Sequence, residues 1–278
     1  MNKIRILYIT QELEPYTDFT EMAEYIRQLV LNANKKSFEL RVLMPKFGTI
    51  NERRHKLHEV VRLSGMNIII DDDDFPLLIK VASLPESRIQ IYFLDNEEFF
   101  KRKNAFTDDD GKPYEDNDGR MVFFCKGAIE TVKKFGWPPD IIHSNGWMTS
   151  LIPLYLKKVY SNDPVYQHSK IIYTPFPDQY GNILSGDFKQ KVLINDLPEE
   201  EIADYYDESG NFNLDFGAIR NSDAIFLPKE EGYSQVIDFV KNHDIPYFIH
   251  IEEEENDKGE LNYYRKLLKD KSIHSTTL

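Results

Sequence analysis

The stretch "IRILYITQELEPYTDFTEMAEYIRQLVLNANKKSFELRVLMP", residues 4–45, decides the fold class. Residues 3–10 read as a strand, because the run after Arg5 is almost continuously apolar. In the segment that follows, Met22, Tyr25, Ile26 and Leu29 recur at helical spacing, and Thr20 or Asp18 is placed to cap the helix. "FELRVLMP" (38–45) is a second strand, and Pro45 ends it. Strand, helix and strand within such a short stretch form a βαβ unit, which requires a parallel sheet.

Outward from this unit the pattern changes and then returns. Residues 46–118 hold three or four short alternating runs close together, which predict hairpins added to the parallel sheet. Asp71 to Asp74 mark a solvated hairpin tip; they lack the ligand spacing of a calcium loop. Strand–helix alternation resumes with a helix over 120–137, a strand over 140–143 and a helix over 147–160. Strands follow at 170–176, within 216–228 after a short helix, and at 246–252 after the helix "YSQVIDFVKNH". The expected fold is α/β, a Rossmann-like doubly wound parallel sheet with a β-hairpin insertion. Residues 1–250 form that domain, and 251–278 read as an acidic, helical C-terminal appendage. Ligands of such sheets sit beyond the carboxyl ends of the strands. The loops of interest are therefore 10–20, 104–118, 143–147 and 174–187, with His143, Ser144, Asn145 and Gly146 expected at a strand-to-helix turn.

Composition narrows the partners. A formal net charge of −13 repels phosphate backbones and anionic lipid, so neither nucleic acid nor a membrane is expected. The N-terminal "MNKIRILYIT" is too short and too polar for a secretory signal, and no run is long enough to span a bilayer. With Cys125 as the only cysteine, no internal disulfide is possible, and a reduced cytoplasmic setting fits. Cys125 lies in the apolar helical run "MVFFCKGAIE" and reads as a packing residue.

Several familiar chemistries are excluded by motif. No Gly-x-Gly-x-x-Gly follows the first strand, so a dinucleotide is not expected. One cysteine and scattered histidines provide no zinc spacing, and no other metal or cofactor is expected. "HSNG" is not a nucleophile elbow, and "LDFG" at 214–217 lacks the companion segments of a kinase.

In order along the chain, several segments resemble one family, the N-terminal catalytic lobe of bacterial glycogen synthase and plant starch synthase. "ILYITQELEPY" is similar to the family's opening strand and Ser-Glu-x-x-Pro turn through Glu12 and Pro15. "LRVLMPKFG" matches its second strand down to Pro45 and Gly48, and "IYFLDNEEFFKR" resembles its Phe-Leu-Asp stretch. Gly111, Tyr114, Asp116, Asn117 and Arg120 fit its following loop. "GWPPDIIHSNGW" resembles its Trp-x-Pro-Asp…His-x-His-Asp-Trp signature, and "FGAIRNSDAIFLP" the end of the lobe. The resemblance covers residues 3–245. It implies a single lobe of a two-lobed GT-B glycosyltransferase that moves glucose from a nucleotide sugar to an α-glucan.

The departures bear on activity. In the family a Lys-x-Gly-Gly-Leu loop follows the first strand and receives the donor phosphates; here "EPYTDFTEM" has no glycine and has Asp18 near the lysine's place. The second histidine of His-x-His is Asn145, and the aspartate after it is Gly146. Asparagine cannot exchange a proton near neutral pH, so acid–base work there is lost, though it can still bond a sugar hydroxyl. The family's later Thr-x-His-Asn reads "YTPFPDQYG", with Pro175 in the histidine's place. The family's C-terminal lobe, which supplies most nucleotide contacts, is expected to be missing.

Three readings stay open. The first is a non-catalytic glycogen-synthase-like lobe that binds α-glucan or a protein partner, as a homo-oligomer or alone. Its substrate-binding residues would be Glu12, Asp116, Asn117, His143, Asn145 and Trp147, with no catalytic residue. Each has a plainer role: Asp116 and Asn117 can cap a helix, His143 can bond backbone, and Trp147 can belong to the core. The second reading is one half of a split glucosyltransferase, and the third an unrelated small-molecule α/β enzyme.

Overall fold

The computed structural model describes residues 3–35, 38–177, 187–195, 197–207, 210, 212–250 and 259–269. Most of the expected loop 174–187 and the acidic run 252–257 therefore lie outside the described residues.

The chain runs β1 (Arg5–Thr10), α1 (Glu21–Lys35), β2 (Glu39–Pro45), α2 (Glu52–His55), β3 (His58–Glu59), β4 (Met66–Ile70), β5 (Asp73–Ser83) and β6 (Gln90–Asp95). It continues through α3 (Glu97–Phe100), α4 (Asn117–Phe135), β7 (Ile141–Asn145), α5 (Leu151–Leu154) and β8 (Lys170–Thr174). Then come α6 (Phe188–Val192), α7 (Leu214–Arg220), β9 (Ala224–Leu227), α8 (Ser234–Asn242), β10 (Tyr247–Ile249) and α9 (Gly259–Lys269). One sheet has the order β10-β9-β8-β7-β1-β2-β6-β5-β3. From β10 to β6 all neighbours are parallel; β5 joins β6 antiparallel, with β3 and β4 on β5. The order reverses at β1, where successive connections leave in opposite directions along the sheet, and this is where open α/β sheets hold ligands.

The sequence pattern explains the layers. The central strand Ile6–Thr10 is buried on both faces, as a strand covered by helices on either side must be. Helix α1 buries Met22, Ile26, Leu29 and Val30 and turns Glu21, Glu24 and Gln28 to solvent. The hairpin insertion is β4–β5, and its tip, Asp71 to Asp74, is exposed as expected of a solvated turn. In α4, Cys125 is fully buried with its thiol on the Met148 carbonyl, and burial pushes its pKa up, which keeps it protonated and inert.

Two expectations are corrected. His143, Ser144 and Asn145 are not turn residues: β7 runs on to Asn145, which pairs with Thr10 of β1 and Thr174 of β8. Strand pairing on both sides extends the element past the point where the apolar run ends. The C-terminal segment, expected to be an acidic, helical appendage, packs into the core where it is described. Helix α9 lies on the sheet face that carries Tyr8, His143 and Phe226, and it buries Leu261, Tyr263, Tyr264 and Leu267 in the main core. Its amphipathic stripe finds an apolar sheet face beside α1, and Tyr25 of α1 donates to the Glu260 carboxylate at 3.1 Å.

Removing the Tyr264 hydroxyl strips a fully buried ring nitrogen of His143 of its partner. Tyr264→Phe is expected to cost about 1–3 kcal/mol, read as a lower urea midpoint with unchanged slope. An unchanged midpoint would mean that α9 does not dock in this way.

Candidate functional site

Beyond the carboxyl ends of β1, β2 and β8 lies a cleft of about 280 Å³. Three phenyl rings, Phe19, Phe106 and Phe176, form its apolar walls. Polar groups come from Gln11, Glu12, Thr20, Thr49, Asn104 and Thr107. Among the described residues that line it there is no lysine and no arginine.

Each wall has a local cause. Phe19, 38% exposed, stands at the rim with its ring edge-on to Phe47 and Phe106 at 5.8 and 5.7 Å. Glu12 sits in the floor, and its carboxylate accepts the Thr20 backbone N–H at 2.8 Å and the Thr20 hydroxyl at 3.1 Å. It thus takes up an unpaired donor just before the start of α1, where the helix dipole favours negative charge. Burial pushes its pKa above the usual carboxylate value, and the hydrogen bonds from Thr20 and Gln11 oppose that only in part. Gln11 holds the far side: its side-chain oxygen accepts from the Met148 backbone N–H at 3.0 Å.

Of the six residues expected from the sequence to bind substrate, Glu12 alone lines this cleft. His143 is fully buried in the sheet, with Nδ1 2.7 Å from the Tyr264 hydroxyl and Nε2 2.7 Å from the Thr174 hydroxyl. Burial drives its pKa down to about 3, so near neutral pH it is an uncharged imidazole with both nitrogens occupied. Asn145 is fully buried and donates to the Ile9 and His143 carbonyls at 3.2 and 2.9 Å, which staples β1 to β7. Its Oδ1 has no partner among the described residues. Trp147, only 3% exposed, packs edge-on against Phe106 at 5.5 Å and offers no ring face to the cleft.

The remaining pair supports the wall from behind. Asp116 takes both guanidinium Nη atoms of Arg102, and this pairing outweighs the opposing effect of burial to hold its carboxyl below the usual range. It makes no side-chain cap on α4. Asn117 donates to the Phe106 carbonyl at 2.9 Å and accepts from the buried Arg120. Arg120 also donates to the Phe99 carbonyl and lies over Phe47, Phe100 and Tyr114, and burial lowers its pKa to about 10. These residues therefore fix the segment that carries Asn104 to Thr107 without reaching the cleft themselves.

Phe19, Phe106, Phe176, Gln11, Asn104 and Thr49 were not foreseen. The flagged loops contain all of them except Thr49, but no spacing rule says which side chain of a loop turns inward. Among the described residues, no group of His, Cys, Asp and Glu is placed to hold a metal ion, and no helix is long and apolar enough to cross a membrane.

The family profile described as the starch synthase catalytic domain matches residues 5–230. Glycogen synthase of Chlorobium phaeobacteroides is 35% identical over 222 residues, which cover 80% of this chain and 45% of that protein. Glycogen synthase of Chlorobaculum tepidum is 33% identical over 236 residues, 84% of this chain and 47% of that protein. The chain thus spans about half the length of these relatives. Among solved structures, the catalytic domain of starch synthase IV from Arabidopsis thaliana, bound to ADP and acarbose, superposes with a TM-score of 0.71 at 16% identity. That match covers 100% of this chain and 51% of the plant chain, and shows a shared fold.

Two measurements test the site's framework. Gly146 has a φ of +79°, and a Cβ there would stand 2.5 Å from Met22 Cε and 2.8 Å from Gln11 Oε1. Gly146→Asp is therefore expected to destabilise the fold by about 2–4 kcal/mol in urea unfolding. The second concerns His143, which takes up a proton near pH 6.5 when unfolded but only near 3 when folded. The unfolded state binds more protons in that window, so stability is full above it and is lost as pH falls. The urea midpoint is expected to drop from about pH 7 to about pH 5, before most carboxylates titrate. A flat profile there would contradict a buried, neutral His143.

Proposed function

The chain belongs to the starch synthase catalytic domain family, and from that premise we propose that it is a non-catalytic lobe that binds an uncharged α-glucan. The observation that carries this reading is the cleft itself: phenyl walls, amides and hydroxyls, one carboxylate, and no cation among its described lining residues. A pyranose has apolar C–H faces and a ring of hydroxyls. Apolar walls with a few placed polar groups suit such a ligand. Gln11 and Asn104 can both donate and accept, and Thr20, Thr49 and Thr107 add hydroxyls.

A nucleotide sugar is a poorer match. Its diphosphate needs cations or free backbone N–H groups. Here the donor before α1 is taken up by the Glu12 carboxylate, whose charge would repel phosphate. Glucosyl transfer would also need a group that exchanges protons or stabilises charge at the sugar. His143 is neutral and enclosed, and Asn145 does not titrate and is bonded into the strands.

Calorimetric titration tests the proposal. Maltoheptaose is expected to bind with micromolar to low-millimolar affinity, and ADP and ADP-glucose not at all. Phe19→Ala, a change at the exposed rim, should weaken the sugar about tenfold, equivalent to ~1.4 kcal/mol. Transfer of labelled glucose from ADP-glucose to glycogen by the purified chain would overturn the non-catalytic reading. No heat with millimolar maltoheptaose would overturn the glycan reading.

A further inference from the structure

On the far side of Phe176 a second cleft opens, of about 360 Å³. Helix α1 provides one wall with Glu21, Glu24, Tyr25 and Gln28. The opposite wall is Pro228 and Lys229 after β9 and His250 after β10. Phe176 lines both clefts, so the two are neighbours across one aromatic ring. Positions 21, 24, 25 and 28 share one helix face by their spacing, whereas Thr20 and Met22 line the first cleft. The first two turns of α1 are therefore a ridge with a cleft on either side, spanning ~12 Å from Thr20 to Gln28.

This second cleft is built, not a chance gap. The Tyr25 ring stands edge-on to Phe176 at 5.8 Å and to His250 at 6.2 Å. The Tyr25 hydroxyl donates to Glu260 Oε1 at 3.1 Å, and His250 Nδ1 lies 3.1 Å from the same oxygen. Glu260 is buried on α9. Its carboxylate thereby fixes two of the three rings. His250 and Glu260 lie beyond residue 230, where the family match ends. The cleft is consequently made jointly by the shared lobe and by the part of the chain that the family profile does not reach.

We infer that the second cleft is an extension subsite of the first, so that a linear α-1,4-glucan lies across the N-terminal turns of α1 with sugars on both sides of Phe176, and the protein distinguishes long chains from short ones. This rests on the glycan reading of the first cleft. The chemistry of the second cleft continues that of the first: aromatic walls, the Gln28 amide, and the Glu21 and Glu24 carboxylates as acceptors for sugar hydroxyls. Lys229 is tied to Glu21 at 2.8 Å, which lowers the net charge that a neutral ligand meets. An anionic ligand would still meet exposed Glu24 and the net charge of −13.

The test is calorimetric titration of maltotriose and of maltoheptaose into the full chain, the Glu24→Ala/Gln28→Ala double variant and Phe19→Ala. Glu24 and Gln28 are both exposed, so the double variant is expected to keep the wild-type thermal midpoint. In the wild type maltoheptaose should bind about tenfold tighter than maltotriose. The double variant should lose that gain and leave maltotriose unchanged, whereas Phe19→Ala should weaken both sugars. Equal affinities of the wild type for the two lengths would overturn the extension subsite while leaving the first cleft in place. So would a double variant that retains the length preference, or one that loses both sugars equally with its midpoint intact. If neither sugar binds the wild type, the glycan reading itself falls, and the inference with it.

Discussion

An uncharged imidazole at the centre of the sheet is the constraint on which much else depends. His143 is enclosed between β1 and β8 and is hydrogen-bonded at both nitrogens, to Tyr264 of α9 and Thr174 of β8. A charged imidazole there would have to be desolvated, and among the described residues no carboxylate is hydrogen-bonded to it. The folded protein therefore holds the neutral form, and the neutral form needs a partner at each nitrogen. Tyr264 can be that partner only if α9 lies on the sheet. Docking of the C-terminal helix, burial of Phe226 and Tyr8 beneath it, and the chemical silence of His143 are one packing arrangement.

The same arrangement shapes the clefts. With Asn145 held as the last residue of β7, the chain must turn at Gly146 against Gln11 and Met22, in a left-handed backbone conformation that a side chain would strain. Gln11 is drawn to the Met148 N–H and Trp147 into the core beside Phe106. What remains at the carboxyl ends of the strands is a cleft of rings, amides and hydroxyls in which groups able to exchange protons are bound up in structure. Glu12 caps α1. Asp116 and Arg102 neutralise one another behind the wall. Alpha-9 contributes again on the far side of α1, where Glu260 orients Tyr25 and His250.

Much of this is legible in the sequence. Ile6 to Ile9, the 22/25/26/29 spacing and Pro45 define the first βαβ unit, because burial on both faces demands an unbroken apolar strand and a helix needs one apolar stripe. The hairpin insertion, the acidic tip at Asp71 to Asp74, the buried Cys125 and the family resemblance were legible on similar grounds. The loops that build the first cleft were legible too, since strand carboxyl ends are where such sheets open. The individual lining residues were not. Whether Trp147 stacks on a ligand or on Phe106, and whether Asn117 caps a helix or supports Arg120, depends on neighbours far away in sequence.

The sequence by itself determined the alternation of strands and helices, a non-titrating asparagine at position 145, the absence of glycine from the segment after β1 and the acidic field around the molecule. All are properties of residue type and local spacing, which need no partner to be defined. Only the tertiary structure decided that β7 runs through Asn145, that His143 faces α9 and not a ligand, and that Phe19, Phe106 and Phe176 enclose one space. Strand registers, the docking of a helix across a gap in the sequence and the convergence of separate loops are set by long-range burial, where each side chain's surroundings come from the whole chain at once.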